Sequence, residues 1–358
     1  MAIDVTNYKC PACTGPLHYA GDSGKLECEY CGSSFAVEEI EALYAPKEEA
    51  VEETVSANEV VTDEWGEEAE NLCVYSCPSC GAELICDNTT VATSCPYCGN
   101  PTVIPGVFQG GLKPEYVIPF KLDKKAAIEA LKQFYKGKRL LPKEFSNENH
   151  IEEIKGVYVP FWLFDGVASA DISYHATRVH SHVLGDEQIT TTEHYSVRRA
   201  GNVNYNMVPV DASSKMPDAH MDSVEPFDYS DMKPFSTAYL AGYMADKYDV
   251  TEQESRKRAE IRVANTVEDM VNSTAIGYTT CVENHKSVDV KHEGAKYVLL
   301  PVWMLSTRWN GNNYLFAMNG QTGKLIGDLP VSKKRFWQCF FKIWAPIAGV
   351  LAVLMLFA

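Results

Sequence analysis

CPSCGAELICDNTTVATSCPYCG, residues 77–99, carries two Cys-x-x-Cys-Gly brackets. The same pattern occurs earlier as CPACTGPLHYAGDSGKLECEYCG, residues 10–32. Fourteen residues separate Cys13 from Cys28, and fourteen separate Cys80 from Cys95. The chain therefore writes C-x2-C-x14-C-x2-C twice, close to the spacing of four-cysteine zinc sites. Two residues between thiolates let one tight turn aim both sulfurs at one ion, and a glycine just after the second cysteine supplies a positive φ. Gly32, Gly81 and Gly99 fit that role; the first bracket has Thr14 there and delays its glycine to Gly15. The stretch between brackets suits a short hairpin. We read two zinc ribbons with ligands Cys10, Cys13, Cys28 and Cys31, then Cys77, Cys80, Cys95 and Cys98, holding two Zn(2+) ions per chain.

Disulfides are the competing use. MAIDVTNYKC has neither a basic n-region nor an apolar h-region, so the cysteines are expected to stay reduced and metal is favoured. Iron in a four-sulfur site is the alternative metal. Four cysteines close the coordination sphere, whereas a catalytic zinc keeps one position for water. The metal is expected to fold modules too short to bury a core alone. Of the other cysteines, Cys73 and Cys86 read as thiols outside the ligand sets, Cys281 as core, and Cys339 as a juxtamembrane residue open to acylation.

The 358-residue chain has room for two or three domains, and its formal charge is −16. Zinc ribbons invite a nucleic-acid role, but affinity there rests on Lys and Arg. Between Cys77 and Cys98 there is neither. An acidic segment, residues 37–72, reads as a spacer with a nascent helix near Ile40, leaving the first ribbon mobile relative to the second.

The C-terminal run FWQCFFKIWAPIAGVLAVLMLFA, residues 336–358, carries one charge, Lys342. It reads as a single transmembrane helix with aromatic anchors Phe336, Trp337 and Trp344. SKKR at residues 332–335 would keep the preceding domains cytoplasmic at the cell membrane.

Between ribbons and anchor, residues 106–331 read as an α+β body with helices on an antiparallel sheet. DKKAAIEALKQFYKG predicts a helix with Asp123 as N-cap, an apolar face of Ile128, Leu131 and Phe134, and a stop at Gly137. TEQESRKRAEIRVANTVEDMVNST predicts a long helix with a Thr251–Glu254 capping box and a face of Ala259, Val263, Val267, Met270 and Val271. VYVPFWLF (residues 157–164) and YVLLPVWML (297–305) are alike, which suggests a duplicated unit with halves at 118–205 and 234–330. The boundaries so drawn are 1–36, 37–72, 73–105, 106–331 and 336–358.

No catalytic set emerges. The chain lacks G-x-x-x-x-G-K-[ST], H-E-x-x-H and G-x-S-x-G. His175, His180 and His182, with His194 nearby, could hold a metal but read first as an exposed hairpin. Trp162 and Trp303 read as core anchors.

The two N-terminal ribbons, the YVPFWLF and YVLLPVWML strands and the C-terminal apolar run together resemble the bacterial TFIIB-type zinc-ribbon membrane proteins, the YdjG-like family. The eight cysteines match that family's ligands. The resemblance implies a non-enzymatic membrane scaffold that recruits flotillin-like (SPFH), PspA-like or TPM-domain proteins. The alternative is a membrane-tethered regulator that binds nucleic acid or RNA polymerase. A third option is an enzyme built on a metal at His175, His180 and His182.

Overall fold

The computed structural model describes residues 8–44, 65, 72–87, 94–100, 103–107, 112–148 and 151–357. The first four-cysteine segment forms a three-stranded sheet of β1 (Leu17–Ala20), β2 (Lys25–Cys28) and β3 (Ser34–Phe35), followed by helix α1 (Val37–Tyr44). The second contains β4 (Leu72–Ser76), β5 (Glu83–Asp87) and β6 (Ile104–Val107). Then follow β7 (Tyr116–Val117), α2 (Lys124–Tyr135), α3 (Lys143–Glu148), β8 (Lys155–Leu184) and β9 (Glu187–Asp211). The remaining elements are α4 (Asp218–Val224), β10 (Lys233–Pro234), β11 (Met244–Asp246), α5 (Glu252–Ser273), β12 (Thr280–Trp309), β13 (Asn312–Asn319), β14 (Leu325–Gly327) and α6 (Lys333–Phe357).

An 11-stranded sheet runs β10-β7-β12-β8-β11-β5-β4-β6, with β9 on β8, and β13 and then β14 beyond β12. β9 on β8 and β13 on β12 pair antiparallel, as do β4, β5 and β6, whereas β11 lies parallel to β8, Met244 opposite Val157. The sheet is therefore mixed, which corrects the expected antiparallel α+β architecture. β5 explains why the second ribbon is not a free-standing module. Leu84, Ile85 and Cys86 are buried in succession, so both faces of the strand need cover. β5 pairs with β4 on one edge and with β11 on the other, Ile85 opposite Ala245.

The chain divides into two compact units. One comprises Met1–Pro160, Ser213–Lys247 and Leu299–Ala358. Its centre is aromatic: Phe120 stacks on Tyr243 at 4.2 Å between ring centroids and meets Tyr158 and Trp303 edge-on. Gly320 and Gly156 are required here, because a Cβ on either would fall within 2.5 Å of the Phe120 or Tyr243 ring. Helix α2 starts as expected: Asp123 accepts from the Ala126 N–H at 2.7 Å, and Ala127 and Leu131 face inward. The first ribbon is held in this unit as well. The Tyr19 N–H donates to Ala241 O at 3.0 Å, and Tyr8 Oη lies 3.1 Å from Thr237 Oγ1. These ties replace the expected mobility of the first ribbon relative to the second.

The other unit comprises Phe161–Ala212 and Tyr248–Val298. Helix α5 carries the Thr251–Glu254 capping box and buries Ser255, Ala259, Val263 and Val267, one residue every turn. Val263 and Val267 sit on Ala168 and Ala170 of β8. Met270, expected on the same face, is half exposed because it falls off this i+4 stripe. Arg258 Nη1 donates to the buried carboxylate of Asp211.

Each unit contains the same local device. Trp303 Nε1 donates to Leu122 O at 3.0 Å, the residue before the N-cap of α2. Trp162 Nε1 donates to Val250 O at 3.1 Å, the residue before the N-cap of α5. An aromatic three residues before each N-cap, Phe120 or Tyr248, meets the same indole. The matched strands are exchanged along the chain: the earlier Trp anchors the later helix, and the later Trp the earlier helix.

The C-terminal membrane helix expected at residues 336–358 is not supported. Among the described residues no helix is long and apolar enough to cross a membrane. Helix α6 opens on Lys333, Lys334 and Arg335 and carries Lys342 and Pro346. The uncharged remainder to Phe357 is about 15 residues, about 22 Å as helix, against about 30 Å of hydrocarbon.

The paired indole bonds predict matched losses. Trp162→Phe and Trp303→Phe each remove one partly buried N–H···O bond and should each lower stability by about 1–2 kcal/mol. Urea unfolding measures both; a loss confined to one variant would end the equivalence of the two anchors.

Candidate metal centres

The four brackets fold into one backbone form. In each, the first cysteine N–H donates to the carbonyl five residues on, at 2.7–2.9 Å: Cys10 to Gly15, Cys28 to Ser33, Cys77 to Ala82, Cys95 to Asn100. In each, the N–H four residues on returns to the first cysteine's carbonyl. That fourth residue has positive φ: Thr14 at 62°, Gly32 at 72°, Gly81 at 70° and Gly99 at 65°. Thr14 itself therefore takes the left-handed conformation, and Gly15 serves another end. A Cβ on Gly15 would lie 3.0 Å from the Tyr30 ring and 3.4 Å from Cys13 Sγ.

The turns gather the sulfurs into two groups, Cys10/Cys13/Cys28/Cys31 and Cys77/Cys80/Cys95/Cys98, each with all ligand atoms within 4.8 Å of one another. Cys10–Cys31 and Cys13–Cys28 are 3.5 and 3.4 Å apart; Cys77–Cys98 and Cys80–Cys95 are both 3.6 Å apart. A disulfide requires about 2.05 Å. A tetrahedral ion with bonds of about 2.3 Å sets sulfurs about 3.8 Å apart, so the donor sets fit zinc. Four thiolates around Zn(2+) leave a net charge of −2, and the ion's contribution there is structural. In the metal-free chain Cys31 is lowered to about 6, chiefly by its hydrogen bond with Ser33. Cys77 is lowered to about 7, where backbone N–H groups of Cys80 and Ser79 outweigh burial. Burial raises Cys80 to about 11.

The surroundings of the two groups differ. In the first, Cys13 and Cys31 are exposed. In the second no sulfur is exposed, and its second knuckle is clasped from three strands. Lys155 of β8 donates to Ser94 O and Oγ at 2.5 and 2.6 Å. Asn313 of β13 donates to Tyr97 O at 3.4 Å, and Gly99 lies against Ser306 O of β12. Tyr97 is buried, and burial and the Asp246 carboxylate push its phenol well up. Burial lowers Lys155, while the adjacent Cys95 thiolate opposes that shift. These partners are distant in sequence and carry no motif.

The other expected residues disperse. Cys73 and Cys86 face each other across β4 and β5, outside both groups, with Cys73 Sγ 3.6 Å from Cys86 O. Cys281 is exposed on β12 and is not core. His175 Nε2 lies 3.2 Å from His194 Nδ1, whereas His180 lies 4.0 Å from Glu193. Among the described residues no group of three metal donors includes any of these histidines.

Two closed four-thiol groups built on repeated knuckles, with a large mixed sheet after them, define a metal-binding protein of the zinc-ribbon type. Residues 9–39 match the Trm112p-like protein family, which covers the first group. The chain is 38% identical over 329 residues to the YdjG protein of Bacillus subtilis (strain 168), spanning 92% of this chain and 91% of that relative. It belongs to the YdjG family. No solved structure matches it.

The difference in cover predicts two classes of zinc. Metal analysis should give two ions per chain, and chelator competition should release them in two phases at least about tenfold apart. Cys13→Ser should abolish the fast phase and Cys80→Ser the slow one; a single phase would contradict the asymmetry. Lys155→Met should speed only the slow phase, by about tenfold, as outer partners of metal ligands do.

Proposed function

We propose that the protein is a non-enzymatic adaptor whose first zinc ribbon is its recognition surface for partner proteins. The observation that carries this reading is the contrast between the centres: the second has two buried and two half-buried cysteines, while the first presents exposed Cys13 and Cys31 and the 78%-exposed Tyr30 at its tip. A coordination sphere of four thiolates has no position for substrate, and an exposed aromatic beside a rigid knuckle is suited to protein contact. The TFIIB-type assignment of the ribbons belongs to this proposal and rests on the resemblance carried by the two ribbons together with the YVPFWLF and YVLLPVWML strands. Flotillin-like, TPM-domain and PspA-like proteins are the partners proposed for test. The charge of −16 weighs against nucleic acid.

Binding of the full-length, zinc-loaded chain to purified proteins of those three kinds tests the proposal. Tyr30→Glu should retain two zinc ions and weaken binding at least about tenfold. Undiminished binding by that variant would remove the ribbon as the recognition surface. Nuclease-sensitive complexes in place of protein ones would replace the adaptor with a nucleic-acid regulator.

A further inference from the structure

The segment KQFYKGKRLLPK, residues 132–143, holds five Lys or Arg and no acid, in a chain where acids outnumber bases 48 to 32. The fold concentrates this charge. The end of α2, the loop after it, the start of α3 and the start of α6 wall a cleft of about 640 Å³. Its cations are Lys132, Lys136, Lys138, Arg139, Lys143 and Arg335, and none of its described lining residues is a carboxylate. Ser332 N–H donates to Leu140 O at 2.9 Å and Arg335 Nη1 donates to Leu141 O, which fixes α6 beside the loop. Gly137, at φ +81°, makes the turn, and a Cβ there would meet nothing within 4 Å.

Ordinary helix electrostatics accounts for part of this. Lys132 lies in the last turn of α2, where the helix dipole favours a cation. It does not account for α6, whose first turn carries Lys333, Lys334 and Arg335 and no acidic residue. Cations there oppose the dipole and repel the lysines across the cleft. A bound anion would relieve both.

We infer that this cleft is a binding site for a phosphate-type oxyanion carrying two or more negative charges. The guanidinium forks of Arg139 and Arg335 suit paired oxygens, and the lysines supply mobile point charges around them. The volume suits a small ligand. A soluble phosphate ester and a lipid headgroup present the same oxygens.

Calorimetry of the full-length chain at low salt, with inorganic pyrophosphate as probe, tests the site. Sedimentation with phosphatidic acid vesicles, whose headgroup is a phosphomonoester, against phosphatidylcholine vesicles, tests the second source. Lys138→Glu combined with Arg139→Glu alters two exposed side chains and should weaken binding to the probe at least about tenfold. Lys25→Glu, on the first ribbon, should leave it within about twofold. Binding of pyrophosphate alone or of both probes assigns a soluble ligand, and binding of phosphatidic acid alone assigns a headgroup. No binding of either probe, or equal losses from the cleft and control variants, would overturn the site.

Discussion

The pairing of β5 with β11 is the constraint on which the metal-bearing unit depends. β5 has three consecutive buried side chains, Leu84, Ile85 and Cys86. A hairpin of five-residue strands closed by a metal covers one face of such a strand and leaves the other wet. Placing β11 on its free edge, Met244 opposite Cys86 and Asp246 opposite Leu84, joins the metal module to the main sheet. Asp246 is then buried beside Tyr97 of the second knuckle. Zinc held by Cys77, Cys80, Cys95 and Cys98 would therefore order part of a sheet, not only a small module. The first ribbon makes its own three-stranded sheet and meets its unit through a few contacts such as Tyr19 to Ala241.

The two indole anchors show how the chain builds its units. In each, an N–H···O bond from a Trp fixes the carbonyl just before a helix N-cap, and an aromatic three residues before the cap lies on the same indole. The carbonyl before a cap points away from the helix and needs a partner once buried. The order of the matched strands along the chain makes each helix wait for a distant strand. Contacts of this separation, 88 residues for Trp162 and 181 for Trp303, carry a loop-closure cost during folding that local helix contacts avoid.

Local signals were readable where one short stretch settles its own geometry. The eight cysteines, the Asp123 cap, the Thr251–Glu254 box and the two apolar strands all fall in that class. The knuckles repeat so regularly that even Thr14 is drawn into a conformation that usually asks for glycine. What was hidden depends on partners far along the chain. Nothing in ELICD names β11 as its neighbour, and nothing near Lys155 names Ser94. Cys281 is exposed because burial in an extended strand is decided by what covers that part of the strand, and β12 is exposed from Thr280 to Ser287 and has no buried residue before Tyr297. The C-terminal run misled for a related reason. Its apolar composition dominates the eye, but α6 begins on three basic residues and keeps Lys342 within its first half.

The two metal sites have the same ligands and different neighbours, and that difference carries the functional argument. A thiolate cluster with a net charge of −2 is stabilised by N–H donors and by nearby cations. The second centre has both: the Asn100 amide donates toward Cys77 Sγ at 3.9 Å, and Lys155 lies beside the Cys95 knuckle. The first centre has its turn N–H groups and the Ser33 hydroxyl, with two sulfurs in solvent. Selection for stability alone would enclose both. Retaining an open centre costs metal retention and exposes thiolates to oxidation, so the exposed tip is best explained as a surface whose use requires access. Tyr30 at that tip meets the same requirement, since a large aromatic left 78% exposed contributes little to the fold through burial.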